Sequence, residues 1–249
     1  TVTKQFKNMK LLKSIMLVAF LFSVTTSCAQ WGKWKKVKGD GNITTENRST
    51  GDYDGLKSAG PMNFKLVQGK EGSITIEGDA NLMEYIVTKV EGGKLVVKVK
   101  DGINLRPTKT IIVTIPYESI NSVSLAGSGD IENSGTIKSD HFDVSIAGSG
   151  DIDLKINCDS VESSISGSGD IELSGSTKDL TTKVTGSGDF DGSDLDSTNV
   201  TAKITGSGGA NVVCNGELKV RITGSGDVKY SGNPTNKDTK VTGSGSVSN

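Results

Sequence analysis

The chain has 249 residues, 33% of them hydrophobic, and its 28 Lys+Arg against 29 Asp+Glu leave a net charge of -1. So even a balance carries no electrostatic footprint for nucleic acid, and 32 Gly with only 4 Pro exclude collagen and Pro/Gly-rich disorder. One His, three Cys and 5% aromatic residues are a thin inventory for catalysis, metal ligation or binding by ring stacking.

Thr1–Asn8 precede the first methionine, and Met9 is the expected start. From there the chain reads as an export signal. Lys10 and Lys13 give a positive leading segment, and Ile15–Val24 an apolar run too short to cross a membrane as a helix. The alternative, a buried core helix, lacks an amphipathic continuation. Thr25-Thr26-Ser27-Cys28 resembles a bacterial lipoprotein box, in which cleavage precedes the Cys and its sulfur carries diacylglycerol; Thr25 replaces the usual Leu. Cys28 is therefore the expected lipidation site, against an ordinary soluble signal peptide with an incidental Cys. Residues 1–27 are assigned to the upstream segment and signal, and 28–51 to a lipid-anchor tether. Within the tether, Trp31 to Lys38 holds both Trp residues and four Lys, which suits a membrane interface or a plain basic spacer. Gly39–Gly51 reads as a linker.

Residues 52–116 form a β-rich head region. Met62–Leu66, Ile74–Ile76, Leu95–Val99 and Ile111–Ile115 alternate apolar and polar residues, with Gly69–Gly72 and Gly92-Gly93 as turns. Asn81–Val90 is the one helical candidate, with Leu82, Tyr85, Ile86 and Val90 on a shared face.

Residues 117–249 repeat. Gly-Ser-Gly recurs at Gly127, Gly148, Gly167, Gly186, Gly206, Gly224 and Gly243, spaced 21, 19, 19, 20, 18 and 19 residues. Two residues before each stands a branched aliphatic, from Leu125 to Val241. Four residues after it stand Ile131, Ile152, Ile171, Phe190, Ala210, Val228 and Val247. Period-two alternation flanks the glycines, so each unit is two short strands joined at a corner. One unit cannot bury its apolar face, but stacked units can. The expected fold is all-β: a right-handed parallel β-helix of seven coils about 20 residues each, with Ile152, Ile171 and Ile222 pointing inward. Cys158 and Cys214 lie three coils, about 14 Å, apart, too far for a disulfide.

The signal ending in Cys28, the head beginning near Tyr53-Asp-Gly-Leu56 and the recurrent Gly-Ser-Gly-Asp resemble the "putative auto-transporter adhesin head domain" (head GIN domain) family. The resemblance covers about Asp52 to Asn249. It implies an exported envelope protein with a β-helical domain and carries no catalytic, cofactor or metal residue.

Three chemistries are weighed on the residues themselves. The Asp column, Asp130, Asp151, Asp170, Asp189 and Asp227, could supply carboxylate pairs or calcium ligands. Its recurrence with the corner argues for turn geometry instead, the serines at Ser128, Ser149 and their equivalents and the turn amides donating to each carboxylate. A phosphate loop needs a helix after the glycines, and a strand follows. His141 and Arg221 alone give no lyase base and clamp. The expectation is a non-enzymatic outer-membrane lipoprotein, periplasmic or surface-facing, without cofactor or metal. It would hold the membrane by its lipid and present a structural or adhesive surface to a cell-surface protein or glycan, with no nucleic acid. The alternative is an envelope protein that binds or degrades polysaccharide.

Overall fold

The seven Gly-Ser-Gly corners stack directly on one another. In the computed structural model, which describes residues 34–249, the register runs Gly127↔Gly148↔Gly167↔Gly186↔Gly206↔Gly224↔Gly243 through parallel strands. The signal, Cys28 and Trp31 lie outside the described residues; Trp34 is described and exposed. Lys36–Asn249 form one unit, a parallel β-solenoid of about seven turns, as the repeat predicts.

Two features make the corner. The first Gly of each motif sits at positive φ, +133° at Gly167, where a side chain is strained. At the second Gly the backbone of the neighbouring rung leaves no room: a Cβ on Gly169 would lie 2.0 Å from the Gly150 carbonyl oxygen. The carbonyl of Gly148 accepts hydrogen bonds from the Ser168 and Gly169 N–H groups at 2.9 and 3.2 Å, which ties one corner to the next.

Both apolar columns point inward. The column after the corner runs Phe64↔Ile131↔Ile152↔Ile171↔Phe190↔Ala210↔Val228↔Val247. Ile152, Ile171 and Ile222 are fully buried, as expected. Val241, on the last described rung, is 38% exposed, for its strand has a neighbour on one side only. The strands are longer than two short pieces. Ile152–Gly167 and Ile171–Gly186 are unbroken 16-residue runs that bend through a third side, with Ile137↔Ile156↔Gly175↔Leu195 in register. The 20-residue unit ending at Gly206 absorbs its extra residue in a register shift between Glu172 and Ser174. Cys158 and Cys214 are buried free thiols.

The head stretch shares these ladders. Gly55–Gly60 pairs in parallel with Ser122–Gly127, so that Ala59-Gly60 lies under Ala126-Gly127. Lys94–Val99 and Ile112–Tyr117 add a further parallel strand to each of the two sides. Beyond them the pairing turns antiparallel, with Ile86–Glu91 on Lys94–Val99 and Ser73–Asp79 on Ile112–Tyr117. Ile43–Ser49 pairs in turn with Ser73–Asp79. These strands cover the end of the stack, where an open ladder would invite pairing with another chain.

Two local expectations fail. The helix is a 3-10 turn, Ala80–Tyr85, that stops where the β-branched run Ile86-Val87-Thr88 becomes a strand. The stretch Gly39–Gly51 contains the strand Ile43–Ser49. Arg48 on that strand donates to the carbonyls of Ile86 and Met83 at 2.5 and 2.7 Å, fastening it to the end of the 3-10 turn.

Candidate functional site

The outward residues beside the corner form columns of like side chains, because in-register stacking places equivalent positions one above another. On the side before the corner, three residues ahead of the glycine, Lys183↔Lys203↔Arg221↔Lys240 occupy four consecutive rungs. Next to them, one residue ahead of the glycine, run Thr185↔Thr205↔Thr223↔Thr242, all exposed. Lys183 lies 3.8 Å from Glu162, and the Arg221 guanidinium pairs with the Asp238 carboxylate. Among the described residues, Lys203 and Lys240 have no carboxylate within ion-pair distance.

The side after the corner is acidic. Asp130, Asp151, Asp170, Asp189 and Asp227 stand three residues past the glycine, each exposed. Five residues past it run Glu132↔Asp153↔Glu172↔Asp191. The first column has a structural task. The Asp151 carboxylate accepts the backbone N–H of Asp170 at 3.0 Å, Asp170 that of Asp189 at 2.7 Å, and Asp189 that of Gly209 at 2.5 Å. Asp227 does the same for Ser246 at 2.8 Å. Each carboxylate thus staples its rung to the following one. The donors differ from those expected of the sequence. They are amides of the next rung rather than of the same turn, and the motif serines, such as Ser168, are exposed. In the second column Asp191 accepts the backbone N–H of Ser193 in its own rung at 2.9 Å, and against burial the hydrogen bonds from Ser193 and Asn211 lower its carboxyl; Asp153 and Glu172 hold no backbone amide among the described residues. The carboxyl of Glu172 is pushed up, first by the charge of Asp153 and then by burial, with Asp191 and Asp194 adding to it.

The acidic side is breached at one rung. Gly209 stands where five of the seven corners carry Asp and the last carries Ser246, and Ala210 where the others carry a larger apolar residue, so side-chain volume is missing there. A shallow concavity of about 490 Å³ results, lined by Asp170, Glu172, Asp189, Asp191, Asp227 and Lys229. Among the described residues no group of three or more His, Cys, Asp or Glu is arranged to hold a metal ion.

One constellation escaped the reading of the sequence. His141 Nδ1 lies 2.8 Å from the Ser160 hydroxyl and its Nε2 lies 3.0 Å from Asp143. His141 and Asp143 are neighbours two places apart on one strand, and the coil period sets Ser160, 19 residues on, beside His141 in the next rung. The order hydroxyl, imidazole, carboxylate is that of an activated nucleophile. The setting is not, for the His141 and Asp143 side chains are both more than half exposed. Ser160 stands mid-strand with His141 and Asp179 in register on either side. Ladder pairing engages the backbone N–H groups that an oxyanion would need.

Comparison with known proteins follows the fold. The profile of a family described as "Putative auto-transporter adhesin, head GIN domain" matches residues 52–234. No curated protein matches the chain. A "putative adhesin" from Bacteroides fragilis superposes with a TM-score of 0.79 at 23% identity, covering 86% of this chain and 99% of its own. A "putative lipid binding protein" from Parabacteroides distasonis gives 0.70 at 26% identity with the same coverage of each chain. A "putative adhesin" from Parabacteroides merdae gives 0.67 at 24%, covering 86% of this chain and 98% of its own.

Proposed function

The chain belongs to the family described as "Putative auto-transporter adhesin, head GIN domain", and on that premise we propose that it is a non-enzymatic module of the cell envelope. Its lipid anchor is Cys28, and it presents the side of a β-solenoid to a repetitive partner, a cell-surface glycan or protein. One observation carries this reading. Thr185, Thr205, Thr223 and Thr242 offer the same hydroxyl on four successive rungs, about 4.8 Å apart. Such a surface suits many weak contacts made at once, where avidity replaces a single tight pocket. The rigidity that regular binding needs comes from the ladders beneath.

The test has two arms. Cells labelled with a clickable fatty acid should mark the wild-type chain and fail to mark Cys28→Ala. Protease added to intact cells should then remove the solenoid if it faces outward. Equal labelling of both chains overturns the anchor, and complete protection in intact cells overturns the adhesive role. The alternative, polysaccharide binding or degradation, draws on the acid-lined concavity. It predicts new reducing ends from envelope glycans, lost in Asp189→Asn.

A further inference from the structure

The two charged columns answer each other. Lys183, Lys203, Arg221 and Lys240 occupy four consecutive rungs of one side, and Glu132, Asp153, Glu172 and Asp191 occupy four consecutive rungs of the other. Both advance by about 4.8 Å per rung. Like charges placed directly opposite one another destabilise a sheet, so each column is unfavourable by itself. Relief within one copy is partial: Glu132 pairs with Lys65 at 3.1 Å, Lys183 approaches Glu162 and Arg221 pairs with Asp238. Lys203 and Lys240 on one side, and Asp153 and Glu172 on the other, have no counter-charge within ion-pair distance among the described residues.

We propose that the basic side of one copy docks on the acidic side of a second copy of this chain. Sign, number and spacing of the charges all match, and one occupant relieves both columns. The raised carboxyl of Glu172 agrees with this, since a facing lysine reverses the repulsion that raises it. An anionic polymer would satisfy the basic column alone and leave the acidic one unrelieved. Because the two docking sides differ, the contact is heterologous. Each added copy leaves one basic and one acidic side free, and rows grow instead of closing as dimers. This inference does not depend on the adhesive reading.

The experiment uses the full chain in a nonionic detergent. Sedimentation velocity should show species larger than one chain at 20 mM salt, with the association constant falling roughly tenfold or more by 500 mM as the pairs are screened. Carbodiimide coupling of mixed 15N-labelled and unlabelled copies should join Lys203 to Asp153 or Glu172 between copies. The double variants Lys183→Glu/Lys203→Glu and Asp153→Lys/Glu172→Lys should each stay monomeric alone and associate when mixed. Circular dichroism melts report whether the variants fold, and the salt and coupling arms need only the wild type. A wild-type chain that remains monomeric at low salt up to millimolar concentration overturns the proposal. So does association unchanged in either variant, or loss of dextran sulfate binding in the lysine variant with self-association intact, which would make a polyanion the partner.

Discussion

Replacing Gly169 by Ala adds one carbon where the neighbouring rung has none to spare. The new Cβ would lie 2.0 Å from the Gly150 carbonyl oxygen, against ordinary heavy-atom contacts of about 3.5 Å or more. The obstacle is backbone, so no side chain can swing aside, and the corners must part by more than about 1 Å. That movement takes the Ser168 and Gly169 N–H groups, now 2.9 and 3.2 Å from the Gly148 carbonyl, beyond hydrogen-bonding distance. Overpacking costs about 1–3 kcal/mol, and two lost hydrogen bonds add about 0.5–1.5 kcal/mol each. The sum is about 2–6 kcal/mol, and at about 2–4 °C per kcal/mol for a domain of this size the melt falls by roughly 10 °C. Ser168→Ala is the control. Its side chain is exposed and its loss should stay within about 0.5 kcal/mol. Thermal melts of both variants, followed by circular dichroism, decide the matter. A Gly169→Ala melt within 2 °C of wild type, on the order of the control's own shift, would falsify the close approach of the corners.

Ile171→Asp removes about 1.5–3 kcal/mol of apolar burial and buries a carboxylate with no partner, so the cooperative melt should drop by well over roughly 10 °C; an unchanged melt sinks the inward assignment. Thr182 is fully buried and its hydroxyl has no hydrogen-bond partner. Thr182→Val should therefore raise stability by about 1 kcal/mol, seen as a higher melting temperature. The carboxyl of Asp79, held chiefly by the Thr108 hydroxyl at 2.6 Å and also by the amides of Thr108 and Gly41, is lowered below its usual value. A lowered folded-state pKa contributes stability above the unfolded value of about 3.9 that is lost as pH falls through the folded one. Titrated melts should show that loss below about pH 4, and Asp79→Asn should flatten it. The stapling carboxylates already hold backbone amides, so melts in EDTA and in millimolar calcium should coincide; a shift of many degrees would make the Asp column a metal ladder.

What could be read from the sequence depended on repetition. The inward columns and the corner glycines recur seven times, and alignment alone exposes them. The rung at Ala59-Gly60 was invisible, because Pro61-Met62 follows it in place of Ser-Gly-Asp and a long excursion separates it from Gly127. Its membership is a tertiary fact, set by pairing with Ser122–Gly127. Ile43–Ser49 has the composition of a linker for a similar reason: it is polar, half-buried and strand-like only because Ser73–Asp79 lies beside it. The Asp column was legible, but its hydrogen bonds were not, since they cross from one rung to the next. The basic column and the second acidic column were within reach. Three places before the last four of the seven first glycines stand Lys or Arg, and five places after the first four stand Asp or Glu, and only the register confirms that they stack.

The corner-to-corner hydrogen bonds have a mechanical consequence. They run along the stacking direction, so tension between the two ends of the solenoid loads one rung's ladder at a time rather than shearing several together. Yielding should begin at an end and advance by whole units. Each unit of about 19 residues releases roughly 60 Å of chain, and the ladders behind it stay closed. A tethered copy pulled by flow would lengthen stepwise, dissipating the load rung by rung while the remaining sides keep their spacing.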